Sequence, residues 1–323
     1  MLWLRILSLV ATASALNILL SNDDSWVSAN IRETYKALRA DGHDVLLVGS
    51  AVQQSGKGGS FVLPTVNITA PGGEFGSVPI GAPPFGSDPM DQNLWYFNGT
   101  PAATVAFGLD IVAPMHFGNK TIDLVVTGPN EGSNLGPFLY TLSGTLGAAY
   151  AAVYRGFPAV AFSGSNGTHR SFTEVTDHND AATIQGKLVA NFVAALSAGI
   201  NTTTTRLLDL GVGVSVGFPV VGGDNPCVDP PFTATRITGG ALMDKIRINA
   251  TTGMPQFDDV AFDGLNVNFT GDPRLPGETN VTENCQTSVS VFAVDYDAPL
   301  NLAAPIQNRL IPIFGRTSLP EAA

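Results

Sequence analysis

Basic residues are scarce in this sequence. Lys and Arg total 16 against 27 Asp and Glu over 323 residues, a formal net charge of −11 at pH 7. That shortage removes the broad positive surface that duplex nucleic acid or an anionic membrane needs. A bound phosphate would need a local offset, either a metal ion or a helix N-terminus. Charged residues of both signs reach only 13% against 44% hydrophobic, which excludes a disordered chain. Cysteine is nearly absent: Cys227 and Cys285 are too few for a thiolate metal centre and form no redox motif. The four histidines (His43, His116, His169 and His178) are scattered without zinc spacing and read as surface or loop residues. No apolar run of about 18 residues follows the N-terminus, so no membrane-spanning helix is expected. Familiar motifs are missing too. SGKGGS has the wrong glycine spacing for a Walker A loop, and no Ser or Thr follows Lys57. GPNEGSNLG lacks the leading Gly-x-Gly of a dinucleotide fingerprint. No G-x-S-x-G elbow opens a helix, which weakens a serine-hydrolase reading.

Glycine (35) and proline (22) are plentiful and indicate a loop-rich globular protein. Residues 1–15, MLWLRILSLVATASA, combine Arg5, an apolar run through Val10 and Ala13-Ser14-Ala15, the pattern of a cleaved signal peptide. Sequons begin at Asn67, Asn98, Asn119, Asn166, Asn201, Asn249, Asn268 and Asn280, several times the chance number. Together these predict a secreted, extracellular glycoprotein. In an oxidising compartment Cys227 and Cys285 are expected to pair as a disulfide.

The mature chain alternates short apolar runs with amphipathic ones. Strands are expected at 16–21, 44–50, 94–97, 122–128, 158–164 and 211–219, with a short strand candidate in SFVLPTV. Helices are expected at 28–40, 100–112, 143–156 and 180–199. Such alternation implies an α/β fold: a Rossmann-like, mostly parallel sheet with helices on both faces, spanning 16–220. Residues 221–323 break the pattern and read as an irregular, β-rich extension with one strand at 287–299 and a tail, packed on or continuing the core.

In an open parallel sheet, ligands bind beyond the carboxyl ends of the strands. The loops expected there carry Asn22-Asp23-Asp24, then QQSGKGGS with Ser55, then TGPNEGSNLG with Asn130 and Asn134, running to Ser143-Gly144-Thr145 at a helix start. Adjacent carboxylates straight after a buried strand are costly unless compensated. Carboxylate, hydroxyl and amide oxygens suit Mg²⁺ or Mn²⁺. The alternative, that the acidic pair only favours the start of the next helix, stays open on these residues alone.

In order and spacing, these blocks resemble the SurE (survival protein E) family of nucleotidases and acid phosphatases. They are NILLSNDD, GHDVLLVGS, QSGKGGS, NGTPAAT, DLVVTGPNEGSNLG, SGTLGAA and GFPAVAFS. The N-D-D-S-W start, Asn22 to Trp26, is that of secreted fungal members. The resemblance implies a metal-dependent phosphomonoesterase with Asp23 and Asp24 as catalytic residues. It implies metal ligands at Asp23, Asp24, Ser55 and Asn130, and phosphate contacts at Asn134, Ser143, Gly144 and Thr145. The substrate it implies is a small phosphate monoester, including nucleoside monophosphates. It also implies a homo-oligomer exchanging C-terminal segments, although the Cys227–Cys285 region has no counterpart in the family pattern. Ser25 stands where the pattern has Gly, and Thr104 where it often has Cys. Two other readings are a haloacid-dehalogenase-like phosphatase and a non-catalytic secreted nucleotide- or sugar-binding glycoprotein. The first needs Asp-x-Asp where this chain has an adjacent pair. Against the second, every ligand position is filled.

Overall fold

Side chains at alternate positions of the apolar runs are buried on both faces of one sheet. Ile18 and Leu20 face one hydrophobic cluster while Leu19 between them faces the other. Such two-sided burial is what makes these strands read as continuous apolar runs. The computed structural model describes residues 15–239, 242–261 and 271–313, without the side chains of 242–244 and 257–261. Residues 1–14 of the expected signal peptide (1–15) and Asn268 lie outside the described residues.

In chain order the elements are β1 (Asn17–Ser21), α1 (Ala29–Ala40), β2 (Asp44–Ser50), β3 (Phe85–Ser87), β4 (Leu94–Phe97) and α2 (Pro101–Phe107). There follow α3 (Ala113–Phe117), β5 (Leu124–Asn130), α4 (Gly136–Leu142), α5 (Gly144–Tyr154), β6 (Ala159–Ser163), α6 (Ala181–Ser197) and β7 (Val212–Gly217). The C-terminal part holds β8 (Phe232–Thr235), β9 (Leu242–Ile248), β10 (Pro255–Ala261), α7 (Glu278–Thr282), β11 (Thr287–Ala293) and α8 (Leu300–Leu310).

The sheet order is β3-β4-β2-β1-β5-β6-β7-β11-β8. β4, β2, β1, β5, β6 and β7 run parallel. The chain winds outward in both directions from β1, so the crevice between the carboxyl ends of β1 and β5 is the switch point of a Rossmann-like sheet. One face is covered by α1 and α6, through Ile31, Leu38, Leu188 and Val193. The other is covered by α2, α3 and α5, through Val105, Phe117, Leu146 and Ala152. α5 is built of small residues because loop 58–59 lies against it. A Cβ on Gly147 would come within 1.9 Å of the Gly58 carbonyl oxygen.

Several expectations need correction. SFVLPTV forms no strand: the Val62 N–H donates to Thr100 Oγ1 and its carbonyl accepts from the Thr100 N–H, and Pro64 has no N–H for a ladder. The helix expected over 100–112 continues to Phe117 through a widened turn at Gly108–Val112. α4 starts inside an expected loop, with Pro137 in its first turn. The tail contains α8. Beyond 220, β8 and β11 extend the main sheet, while β9 and β10 form a separate antiparallel pair. Cys227 and Cys285 are disulfide-bonded, with Cα atoms 5.7 Å apart.

Glu278 links this region to the core. It is fully buried, its Oε2 accepts the Gly136 N–H at 2.7 Å, and Oε1 has no partner. Burial pushes its carboxyl above the ordinary range. Above pH ~4.5 the folded chain therefore keeps a proton that the unfolded chain has released, so stability falls as pH rises towards the folded value. Glu278→Gln keeps an acceptor for Gly136 and should flatten that fall. Melting curves from pH 4.5 to 7.5 check this, and parallel slopes for both proteins would contradict it.

Candidate active site

β1 delivers Asn22, Asp23 and Asp24 to the switch point, and β5 delivers Asn130 beside them. The turn after the acidic pair is held by Asn22, whose Nδ2 donates to the Ser25 carbonyl at 2.9 Å. Ser25 adopts φ 132°, a region that favours glycine, at the position where the family pattern has Gly.

Both carboxylates are only 1% exposed. Burial raises the proton affinity of Asp23, and the start of α5 opposes it. Thr145 Oγ1 donates to Asp23 Oδ1 at 2.5 Å, and the backbone at Thr145 and Gly144 favours the charged carboxylate. Gly144 is needed there, since a Cβ would lie 2.9 Å from Asp23 Oδ2. Asp24 is raised well above the ordinary range by burial and by the negative charges of Asp23 and Glu131. Its oxygens accept from Gln53 Nε2 at 3.2 Å and from the Glu131 N–H at 3.0 Å.

The remaining expected residues surround this pair. Asn130 donates through Nδ2 to the Gly132 carbonyl at 2.7 Å, leaving Oδ1 buried without a partner. Asn134 Nδ2 is likewise buried and unpartnered. Ser55 is exposed on a loop that the Gln54 N–H ties to the Asp23 carbonyl at 2.7 Å. Ser143 caps α5, its Oγ accepting the Leu146 N–H at 3.2 Å. The structure thus brings Asp23, Asp24, Asn130, Asn134 and 143–145 to one crevice, with the Ser55 loop beside it. The hydroxyls of Ser143 and Thr145 already have partners within the protein.

Five residues join the site that sequence patterns did not single out. Glu131 Oε2 lies 2.7 Å from His169 Nδ1, and His169 Nε2 lies 3.0 Å from Glu74 Oε1. Glu74 Oε2 accepts the Gln53 N–H at 2.9 Å. With Gln53 and Glu131 both bonded to Asp24, the contacts close into a ring. Burial raises the Glu131 carboxyl to about 7, against the pull of His169. Phe75 packs on His169, with ring centroids 4.8 Å apart. Only the burial of Glu131 in the loop after β5 had a sequence signal, its place within GPNEGSNLG.

The donor set fits a hard divalent cation. Two buried carboxylates face each other's charge, and the bare Asn130 Oδ1 offers the neutral oxygen such an ion takes. Among the described residues no three His, Cys, Asp or Glu side chains form a metal cluster, so a cation here would rely on Asn130 and Ser55 besides the pair. The expected absence of G-x-S-x-G and Asp-x-Asp needs correction, since Gly-Val-Ser-Val-Gly occurs at 213–217 and Asp-Tyr-Asp at 295–297, both away from the crevice. Ser215, inside Gly213–Gly217, is buried in the middle of β7 and not at an elbow. Asp295-Tyr296-Asp297 follows β11, which runs antiparallel to β7, and so lies past the opposite end of the sheet.

Thr145→Val should remove a donor from Asp23 while keeping the shape of α5. A loss of about 10–100-fold in kcat/KM or in cation affinity is expected, the scale for residues that orient a ligand. Cation titration checks it, and unchanged values would show that Thr145 only packs.

Residues 18–238 match the family described as Survival protein SurE. An acid phosphatase of Yarrowia lipolytica is 46% identical over 316 residues, covering 94% of this chain and 87% of that protein. A 5'-nucleotidase SurE of Desulfovibrio desulfuricans is 35% identical over 158 residues, 48% of this chain and 52% of that protein. The crystal structure of the SurE protein from Aquifex aeolicus superposes with a TM-score of 0.59 at 20% identity, covering 91% of this chain and 99% of that one. That likeness establishes the fold.

Proposed function

Because the chain belongs to the survival protein SurE family, we propose that it hydrolyses phosphate monoesters at the β1–β5 crevice with a divalent cation, Mg²⁺ or Mn²⁺. The observation that carries this reading is the buried Asp23–Asp24 pair facing an unpartnered Asn130 oxygen. Asp23, Asp24, Asn130 and Ser55 would hold the cation, which when bound supplies polarisation of the phosphoryl oxygens and a more acidic water. Asp23 orients the attacking water and accepts its proton, with Thr145 fixing the carboxylate. Asn134, through its free Nδ2, serves the phosphate, and the N-terminal end of α5 adds the local positive potential that a chain of net charge −11 lacks. Phosphate release from a set of monoesters, with EDTA and after readdition of Mg²⁺ or Mn²⁺, tests this. Release that ignores EDTA would remove the cation, and no release from any ester would remove the activity.

The leader-like segment, the sequons and the disulfide together support secretion. Peptide mapping of protein exported from a eukaryotic host should find glycans among the exposed Asn119, Asn201 and Asn280. Asn166 should be bare, because its Nδ2 donates to the Val221 carbonyl at 2.8 Å and its Oδ1 accepts from Gln185 at 3.1 Å. A glycan on Asn166, or none on the other three, would count against this reading.

A further inference from the structure

A cleft of roughly 430 Å³ opens beside the acidic pair, lined among others by Gln53, Thr69, Glu74, Phe75 and Asn98. Gln53 is the link, since its amide donates to Asp24 Oδ1 at 3.2 Å. The far wall is the 72–76 loop. It is fastened to the carboxyl end of β2, with the Glu74 N–H donating to the Ala51 carbonyl at 2.9 Å. The Glu74 carboxylate then grips both the Gln53 N–H and His169 Nε2. The loop therefore stands on the ligand-binding edge of the sheet, held from two sides.

At its tip Phe75 sits at φ 51°, which is strained for a bulky side chain, and its side chain is not spent on the core. One part of the ring packs on His169 at an interplanar angle of 34°, yet the residue is 44% exposed. A rigidly held aromatic residue lining a cleft next to a phosphate-binding crevice has the chemistry of a stacking platform. The cleft falls within the size range of small-molecule sites.

Resting on the phosphomonoesterase reading, we infer that this cleft is the leaving-group subsite and that Phe75 is its specificity-determining residue. The group it takes is a planar heterocycle set one sugar away from the phosphate, as in a nucleoside monophosphate. The ring stacks on Phe75 while the phosphate lies at the acidic pair. Small aliphatic leaving groups such as glycerol would not reach the platform.

Two variants test this. Phe75→Ala removes the ring, and Phe75→Gly removes it while relaxing the left-handed backbone, so loss of loop order is separated from loss of stacking. Both should raise KM for AMP at least about tenfold more than KM for glycerol phosphate, and spare inhibition by inorganic phosphate. Phe75→Trp should retain the wild-type preference. Adenosine binding, read by calorimetry on the same proteins, is independent of hydrolysis and should weaken by the same factor. If wild-type protein hydrolyses no ester but binds adenosine through Phe75, the activity reading falls and the subsite stands. The subsite is overturned if adenosine binds wild type and Phe75→Gly equally or binds neither. Equal KM changes for AMP and glycerol phosphate, or a glycan on Asn98 filling the cleft, would also overturn it.

Discussion

Asp23→Asn is expected to cut kcat/KM by at least about 10²–10³-fold, the scale for removing a preorganised group at a reacting centre. The same change should leave the metal-free fold at least as stable as before. Asp23 is buried, and burial raises its proton affinity, so its negative charge costs the metal-free protein stability. Asparagine keeps the shape and an oxygen to accept from Thr145 while removing that charge. Cation affinity should fall with activity. Wild-type protein at 100 times the cation dissociation constant should gain about 2.7 kcal/mol of stability, and the variant little. Kinetics and melting with and without cation give both readouts. A variant with wild-type turnover, or with an undiminished melting shift on adding cation, would mean that Asp23 is not a ligand.

Replacing both cysteines with serine should destabilise the protein by about 4 kcal/mol on the chain-entropy estimate for so long a loop. The corresponding fall in melting temperature is on the order of 10 °C. Cys285 lies between α7 and β11, and Cys227 is buried against the main core. Loosening the bridge also frees α7, whose Glu278 holds the Gly136 N–H two residues beyond Asn134. Activity should therefore drop along with stability. Denaturant unfolding and thiol titration of the unreduced protein check the two halves. A melting point within 2 °C of wild type, taking 2 °C as roughly 1 kcal/mol, would show that the bridge adds little.

Much of the fold was legible because its signals are local. Two-sided burial imposes a continuous apolar run on β1, visible in LNILLS without knowing any partner. The acidic pair was legible for a related reason: two carboxylates after such a run must be buried and need compensation. SFVLPTV misled because extended backbone and β-branched residues satisfy a strand pattern, although its hydrogen bonds go to Thr100. α4 was missed because Gly136 and Pro137, read as loop residues, are also what a helix start tolerates.

The sequence alone determined the parallel, doubly covered sheet, the edge on which chemistry could occur and the oxygen-rich character of the residues there. All of these follow from side-chain type and spacing within a few residues. Only the tertiary structure decided that Thr145 turns its hydroxyl to Asp23 across 122 positions. It also decided that His169 joins Glu131 and Glu74 across 38 and 95 positions, and that Phe75 stands on that ring over an open cleft. Such contacts leave no periodic mark in the chain, because which side chains meet at the crevice depends on strand order and on how each loop folds back over the sheet edge.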